Sequence, residues 1–238
     1  MKRNLTFIIS LFLVCIFSKP AVAEDIYIEY STKDKNGRAI DTKIYLKQGD
    51  ARVDLYIDMS KMKLTTTSLI LKNNPDEVTV FNSLTKSYTK TIKPKRKQIL
   101  TNYSITVIGK EKVGKYNCTR IRVKSKDKSF DVWNTKDLPA FKLPIENGQT
   151  NLDKKLADEL EKKGISGMVV KTVYFNPGTT TPKLTMELKK YETKPLSASL
   201  FKIPSGYTES KGNPYKNMSP EKKNELMKQM MEQLKSKQ

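Results

Sequence analysis

Cys118 is the side chain with the greatest intrinsic reactivity, and what surrounds it in sequence decides whether that reactivity is used. A working thiol needs a lowered pKa and an acid–base partner. The chain contains no histidine, so the commonest general base and the commonest metal ligand are both missing. Arg120 and Lys115 are near in sequence, and strand parity places Cys118 on the same face as Arg120. A small buried hydrophobe at a strand start is the favoured reading.

Paired carboxylates offer a second chemistry. Asp54 and Asp58 are four residues apart on one strand, which separates them by about 13 Å. Glycosidase pairs stand roughly 5–9.5 Å apart, so this pair reads instead as a solvated strand face. Gly164-Ile165-Ser166-Gly167 lacks the spacing of a serine nucleophile elbow, and no phosphate loop is present. No catalytic residue, metal site or cofactor is therefore assigned, and the chain is read as a non-enzyme.

Binding chemistry is better represented. Lys90, Lys93, Lys95, Arg96 and Lys97 crowd one loop around Pro94, a candidate contact for an anionic surface. Near the end, Leu226, Met227, Met230, Met231 and Leu234 make an apolar stripe at helical spacing, with lysines and glutamates opposite. Methionine adapts to varied apolar partners, so this stripe is the candidate surface for a ligand or partner. The same stripe also suits a helix packed permanently on the sheet.

The elements that must position these residues are mostly strands. Ile26, Ile28 and Tyr30 alternate with polar neighbours, Asn36-Gly37 turns the chain, and Ile40, Thr42, Ile44 and Leu46 share the next face. After a turn at Gly49-Asp50, Ala51, Val53, Leu55 and Ile57 point inward and Arg52, Asp54, Tyr56 and Asp58 outward. Further strands are predicted over 64–71, 77–81, 87–92, 103–108, 116–124, 129–135, 168–175 and 183–191, with a short extended piece over 199–203. Asn151 is placed to cap a helix over 152–163 that Gly164 stops. Ser219 and Pro220 open the tail helix.

The fold class expected is α+β: a strongly curved antiparallel sheet forming an incomplete β-barrel, with an inserted helix and a C-terminal amphipathic helix. The domain boundaries expected are a signal peptide over 1–23, the barrel over 24–208, a linker over 209–217 and the amphipathic helix over 218–238. The signal peptide is read from Lys2 and Arg3, the apolar run Leu5–Phe17, and the small-x-small site Ala21-Val22-Ala23. Its loss leaves 215 of the 238 residues and takes the net charge from +20 to +17. That location argues against nucleic acid as the partner of so basic a chain, and favours anionic envelope surfaces.

Two stretches carry a family resemblance. Ile108-Gly109-Lys110-Glu111-Lys112-Val113-Gly114-Lys115-Tyr116-Asn117-Cys118-Thr119 is followed by Val132-Trp133-Asn134-Thr135-Lys136-Asp137-Leu138-Pro139, and later by Leu200-Phe201-Lys202-Ile203-Pro204-Ser205-Gly206-Tyr207. Together they resemble a domain-of-unknown-function family of exported bacterial proteins. The pattern Gly49-Asp50-Ala51-Arg52-Val53-Asp54 with Ser87-Tyr88 is similar to the wider group of periplasmic lipoprotein carriers. That resemblance implies an incomplete barrel holding an apolar ligand, such as a lipid, an acyl chain or a lipoprotein anchor, in its concave face. The alternative is a cell-envelope interaction module that binds another protein through the tail helix or the basic loop. Periplasmic location is expected, with extracellular or outer-membrane-associated placement left open, as is the oligomeric state.

Overall fold

The computed structural model describes residues 24–37, 39–59, 62–92, 104–126, 128–139, 159–165, 167–176, 178–211, 219–221 and 224. They form one twelve-stranded sheet. In chain order the strands are β1 Ile26–Asp34, β2 Ala39–Lys47, β3 Asp50–Met59, β4 Met62–Leu71, β5 Asn74–Asn82 and β6 Ser87–Ile92. They continue as β7 Ser104–Val113, β8 Tyr116–Lys124, β9 Ser129–Thr135, β10 Met168–Phe175, β11 Pro182–Thr193 and β12 Thr208–Glu209. The lateral order is β12-β6-β5-β4-β3-β2-β1-β11-β10-β9-β8-β7. Every pairing is antiparallel except β12 on β6. The sheet is not closed, since β7 and β12 are its two edges.

The class is therefore mostly β rather than α+β. Among the described residues, the inserted helix contributes the turn 159–162 and the tail helix residues 220, 221 and 224. Residues 152–158 and the remainder of the tail lie outside the described residues. The end of the inserted helix is well defined. Ile165 donates to the Leu160 carbonyl at 2.9 Å across Gly164, whose φ of +68° suits a helix C-cap.

Alternation along the strands gives the sheet two unlike faces. One is apolar. Ile28, Tyr30 and Ile44 meet Met168 there, and Ile121, Val123, Phe130 and Val132 meet Leu160 and Ile165. The second face carries Arg52, Asp54, Arg120, Arg122, Asp131, Lys171 and Glu187 between aromatic rings. Two-residue connections fix the register between the faces. Gln48 (φ +48°) and Gly49 (φ +94°) join β2 to β3 with Lys47 opposite Asp50, one residue before the expected turn.

The C-terminal stretch departs from expectation. Ser197 caps a 3-10 turn, Ala198–Phe201, accepting from the Ser199 N–H at 3.3 Å, where an extended piece over 199–203 was predicted. Serine capping of the local backbone outweighs the strand preference of the Leu200-Phe201 pair. Leu196 and Phe201 then pack against Leu69 and Phe81 on the charged face. Beyond them β12 lies parallel to β6, and the Ser210 N–H reaches the Tyr88 carbonyl at 2.8 Å.

That packing overturns the solvated reading of Asp54. The Asp54 side chain is 2% exposed. It accepts from Thr67 Oγ1 at 2.6 Å and Arg52 Nε at 2.9 Å, while Arg52 Nη1 donates to the Leu200 carbonyl at 2.9 Å. A segment nearly 150 residues away thus holds the arginine that pairs with the carboxylate. The side chain of Asp58 lies outside the described residues.

Candidate functional site

β8 and β9 place four charged or aromatic residues side by side on the charged face. Arg120 is opposite Trp133, and Arg122 is opposite Asp131. Asp131 has no exposed surface. Arg120 donates to Asp131 Oδ2 from Nε at 3.0 Å and from Nη2 at 2.6 Å. Arg122 donates from Nε to Oδ1 at 2.7 Å and from Nη2 to Oδ2 at 2.8 Å. Burial pushes the Asp131 carboxyl up, but the bonds from Arg122 and Arg120 outweigh it and hold it below the usual carboxylate range. Two guanidinium groups share one carboxylate, and Arg120 also stands 3.7 Å from Glu111, so the cluster's two cations are balanced by two carboxylates.

Trp133 is held inside this network. Arg120 lies over its ring at 4.8 Å from the centroid and Lys171 at 5.5 Å, and the indole N–H donates to Glu111. Lys171 arrives there through a shift in the β9–β10 register, which pairs it with Trp133 and leaves Val170 as the extra residue. Val170, Val173 and Cys118 form the apolar bed under the ring, with Val113, Tyr116 and Leu188 packed on it.

Above that bed opens a cleft of about 1000 Å³. One wall is the β7–β8 hairpin, including Glu111, Lys112, Lys115 and Tyr116. The other is β11, including Glu187, Leu188, Lys189 and Lys190. Glu187 accepts from Lys189 and Lys171, which lower its pKa. The pairing distances are 3.0 Å and 3.1 Å. The cleft thus combines an apolar floor with a rim of charges, mostly cationic.

Few of the residues singled out in sequence fall in it. Lys90 is on β6, exposed and 3.7 Å from Glu77. Lys93, Lys95, Arg96 and Lys97 lie outside the described residues, as do Leu226, Met227, Met230, Met231 and Leu234. Cys118 is beneath the cleft, 3% exposed, with Sγ donating to the Tyr116 carbonyl at 3.5 Å. Burial pushes its thiol up, with the Asp137 and Glu111 charges acting in the same direction. Such a thiol is a poor nucleophile. Among the described residues no group of histidine, cysteine, aspartate and glutamate is arranged to hold a metal ion.

Of the cleft residues, Arg120 and Lys115 enter the sequence reading only as neighbours of Cys118, and the cleft as such was missed. A usable signal was present in the β8–β9 hairpin, where Arg120 and Arg122 alternate opposite Asp131 and the chain's one tryptophan. The contribution of β11 had no local signal, since Lys189 and Lys190 read as ordinary strand polarity.

In fold, the chain is similar to an uncharacterized conserved protein from Thermus thermophilus, with TM-score 0.52 and 9% identity over 79% of this chain and 91% of that one. Weaker likenesses reach MucB, solved in complex with MucA(peri), with TM-score 0.42 and 9% identity over 78% of this chain and 56% of MucB. They also reach a LolA superfamily protein from Nitrosomonas europaea, with TM-score 0.30 and 7% identity over 75% and 89%. No curated protein matches the chain by sequence. Residues 27–207, from the first strand to the turn before the last, match the domain of unknown function DUF4412, and the chain belongs to that family.

Proposed function

We propose that the protein is an exported, non-catalytic binding protein of the periplasm that holds an apolar or amphiphilic ligand, a lipid, an acyl chain or a lipoprotein anchor, in the cleft between the β7–β8 hairpin and β11. The observation that carries this reading is the cleft itself. Its volume of about 1000 Å³ is at the upper end of ordinary ligand sites, and Val113, Trp133, Val170 and Leu188 give it an apolar floor. Leu138, Leu160 and Ile165 pack on the apolar face, and the proposed site is on the opposite, charged face.

Protein purified from its own host and examined by native mass spectrometry, with lipid extraction of the same sample, tests the reading. A co-purifying amphiphile supports it. Protein that is ligand-free, and whose Trp133 fluorescence answers to no added single-chain amphiphile, overturns it.

One observation favours a second reading, an envelope protein–protein interaction module. β7 is an outer strand among the described residues, with Val107 53% and Ile108 47% exposed. Substituting Val107→Lys and assaying envelope partners by pull-down, with and without residues 218–238, separates an edge contact from a tail-helix contact.

A further inference from the structure

We infer that the occupant of the cleft is an anionic amphiphile, whose phosphate or carboxylate group lies between the hairpin lysines Lys112 and Lys115 and the β11 pair Lys189 and Lys190. This rests on the binding reading above and names the chemistry that the site selects. Six cations line the cleft, namely Lys112, Lys115, Arg120, Lys171, Lys189 and Lys190, against the carboxylates Glu111, Glu187 and Glu192.

The excess is built into the pairing. Glu187 is shared by Lys171 and Lys189, and Glu192 by Lys190 and Lys194. Each shared carboxylate neutralises one cation and leaves the second uncompensated. Arg120 and Arg122 are balanced by Asp131 and Glu111 and add no excess. Lys112 and Lys115 are exposed, and neither has a carboxylate within ion-pairing distance among the described residues. Lys115 lies over the Tyr116 ring at 5.4 Å from its centroid.

A basic chain carries surface lysines everywhere, so number alone would mean little. What sets this group apart is that Lys112 and Lys115, without a carboxylate among the described residues, face β11 lysines that must share theirs, across a hollow with an apolar floor. A free anion would satisfy the rim and leave the half-buried Val113 and Leu188 wet. A neutral tail would cover the floor and leave the rim charges facing one another. A molecule with both parts satisfies both surfaces, and its attraction falls with salt because the rim is open to solvent.

Trp133 is the only tryptophan and forms part of the cleft lining, so its emission reports occupancy directly. The full chain is titrated below the micellar range with lysophosphatidylglycerol, with zwitterionic lysophosphatidylcholine, and separately with inorganic phosphate. The anionic lipid is expected to saturate the shift at a concentration about tenfold lower than the zwitterionic one. Lys112→Gln with Lys115→Gln is expected to bring the two lipids within about twofold of each other. Lys124→Gln with Lys128→Gln, on the far β8–β9 turn, is expected to keep the discrimination.

Equal affinity for the two lipids in the wild type overturns the inference and leaves the binding reading standing. No response to either lipid defeats the binding reading itself. Saturation by inorganic phosphate at the lipid's concentration reassigns the site to a free anion and also overturns the inference. An equal loss of discrimination in the Lys124/Lys128 variant does the same, because it shows general surface adsorption.

Discussion

Asp131 Oδ1 lies 2.7 Å from Arg122 Nε, and this bond joins a carboxylate with no exposed surface to a guanidinium that is 27% exposed. The pair is one side of a three-residue cluster, and the partly open arginines cannot be discharged. Asp131→Asn keeps the shape but removes the charge that both arginines share. The cost of stripping one partner from a buried pair is several kcal/mol, reduced here because Arg120 and Arg122 can rehydrate. A loss of about 3 kcal/mol is expected, read as a lower urea midpoint at unchanged slope. An unchanged midpoint would mean that the cluster contributes no net stability.

The pH profile of stability follows from groups of opposite kinds. Asp131 and Asp25 are held below the usual range although burial opposes this: Asp131 by Arg122 and Arg120, Asp25 by Lys47 and the Leu196 N–H. Their unfolded forms take up protons first, so this stability is present above the unfolded pKa of about 4 and is lost as pH falls through the lower folded values. Burial raises Tyr27, Tyr30 and Tyr56. Their stability is present below the unfolded pKa of about 10 and is lost as pH rises beyond it. With no histidine to titrate, a plateau from about pH 5 to 9 is expected, tested by denaturation midpoints across that range. A clear step near pH 6.5 would contradict it.

Much of the sheet could be read from the sequence, because a half-buried strand writes its two faces as alternation. β8 and β9 were expected over 116–124 and 129–135 and are found as Tyr116–Lys124 and Ser129–Thr135. Contacts made at long range were not legible. Asp54 alternates with Val53 and Leu55 as a solvated residue would, yet it is buried against Thr67 and Arg52, and Arg52 is itself tied to the distant Leu200 carbonyl. Lys171 reaches Trp133 only through a register shift, and a one-residue slip changes the face without changing the local pattern. The cleft belongs to this class, since its walls are a hairpin and a strand separated by more than 70 positions in sequence.

Gly167 gives a sharp test of backbone approach at the start of β10. Its φ is +129°, and a Cβ placed there would stand 2.1 Å from the Thr135 carbonyl oxygen. Neither the strand end nor the carbonyl can move without breaking the β9–β10 ladder. Gly167→Ala is expected to cost about 2–4 kcal/mol, combining overpacking with a conformation that L-residues rarely adopt. Gly178→Ala, where a Cβ would meet open space, is the comparison and should cost about 1 kcal/mol or less. Equal melting temperatures for the two variants would refute the close approach.

Phe201 decides whether the C-terminal stretch is part of the fold or a loose strap on it. Its ring is 6% exposed and packs in the cluster of Leu69, Phe81 and Leu196, with Tyr207 edge-on to Phe81 at 5.7 Å between centroids. Truncating a buried phenylalanine costs about 3–5 kcal/mol when the site cannot collapse. The segment is also held by the Arg52 bond to the Leu200 carbonyl, by the Leu196 N–H donating to Asp25 Oδ2 at 2.8 Å, and by β12 on β6. Those polar ties alone are short and partly open to water, so they should not hold the segment once the ring is gone. Phe201→Ala is therefore expected to lower stability by about 3 kcal/mol. It should also raise hydrogen exchange at Thr208 and Ser210 well above that in β1 and β2. Unchanged exchange at those two amides, despite a lowered melting temperature, would show that β12 is anchored independently of the ring.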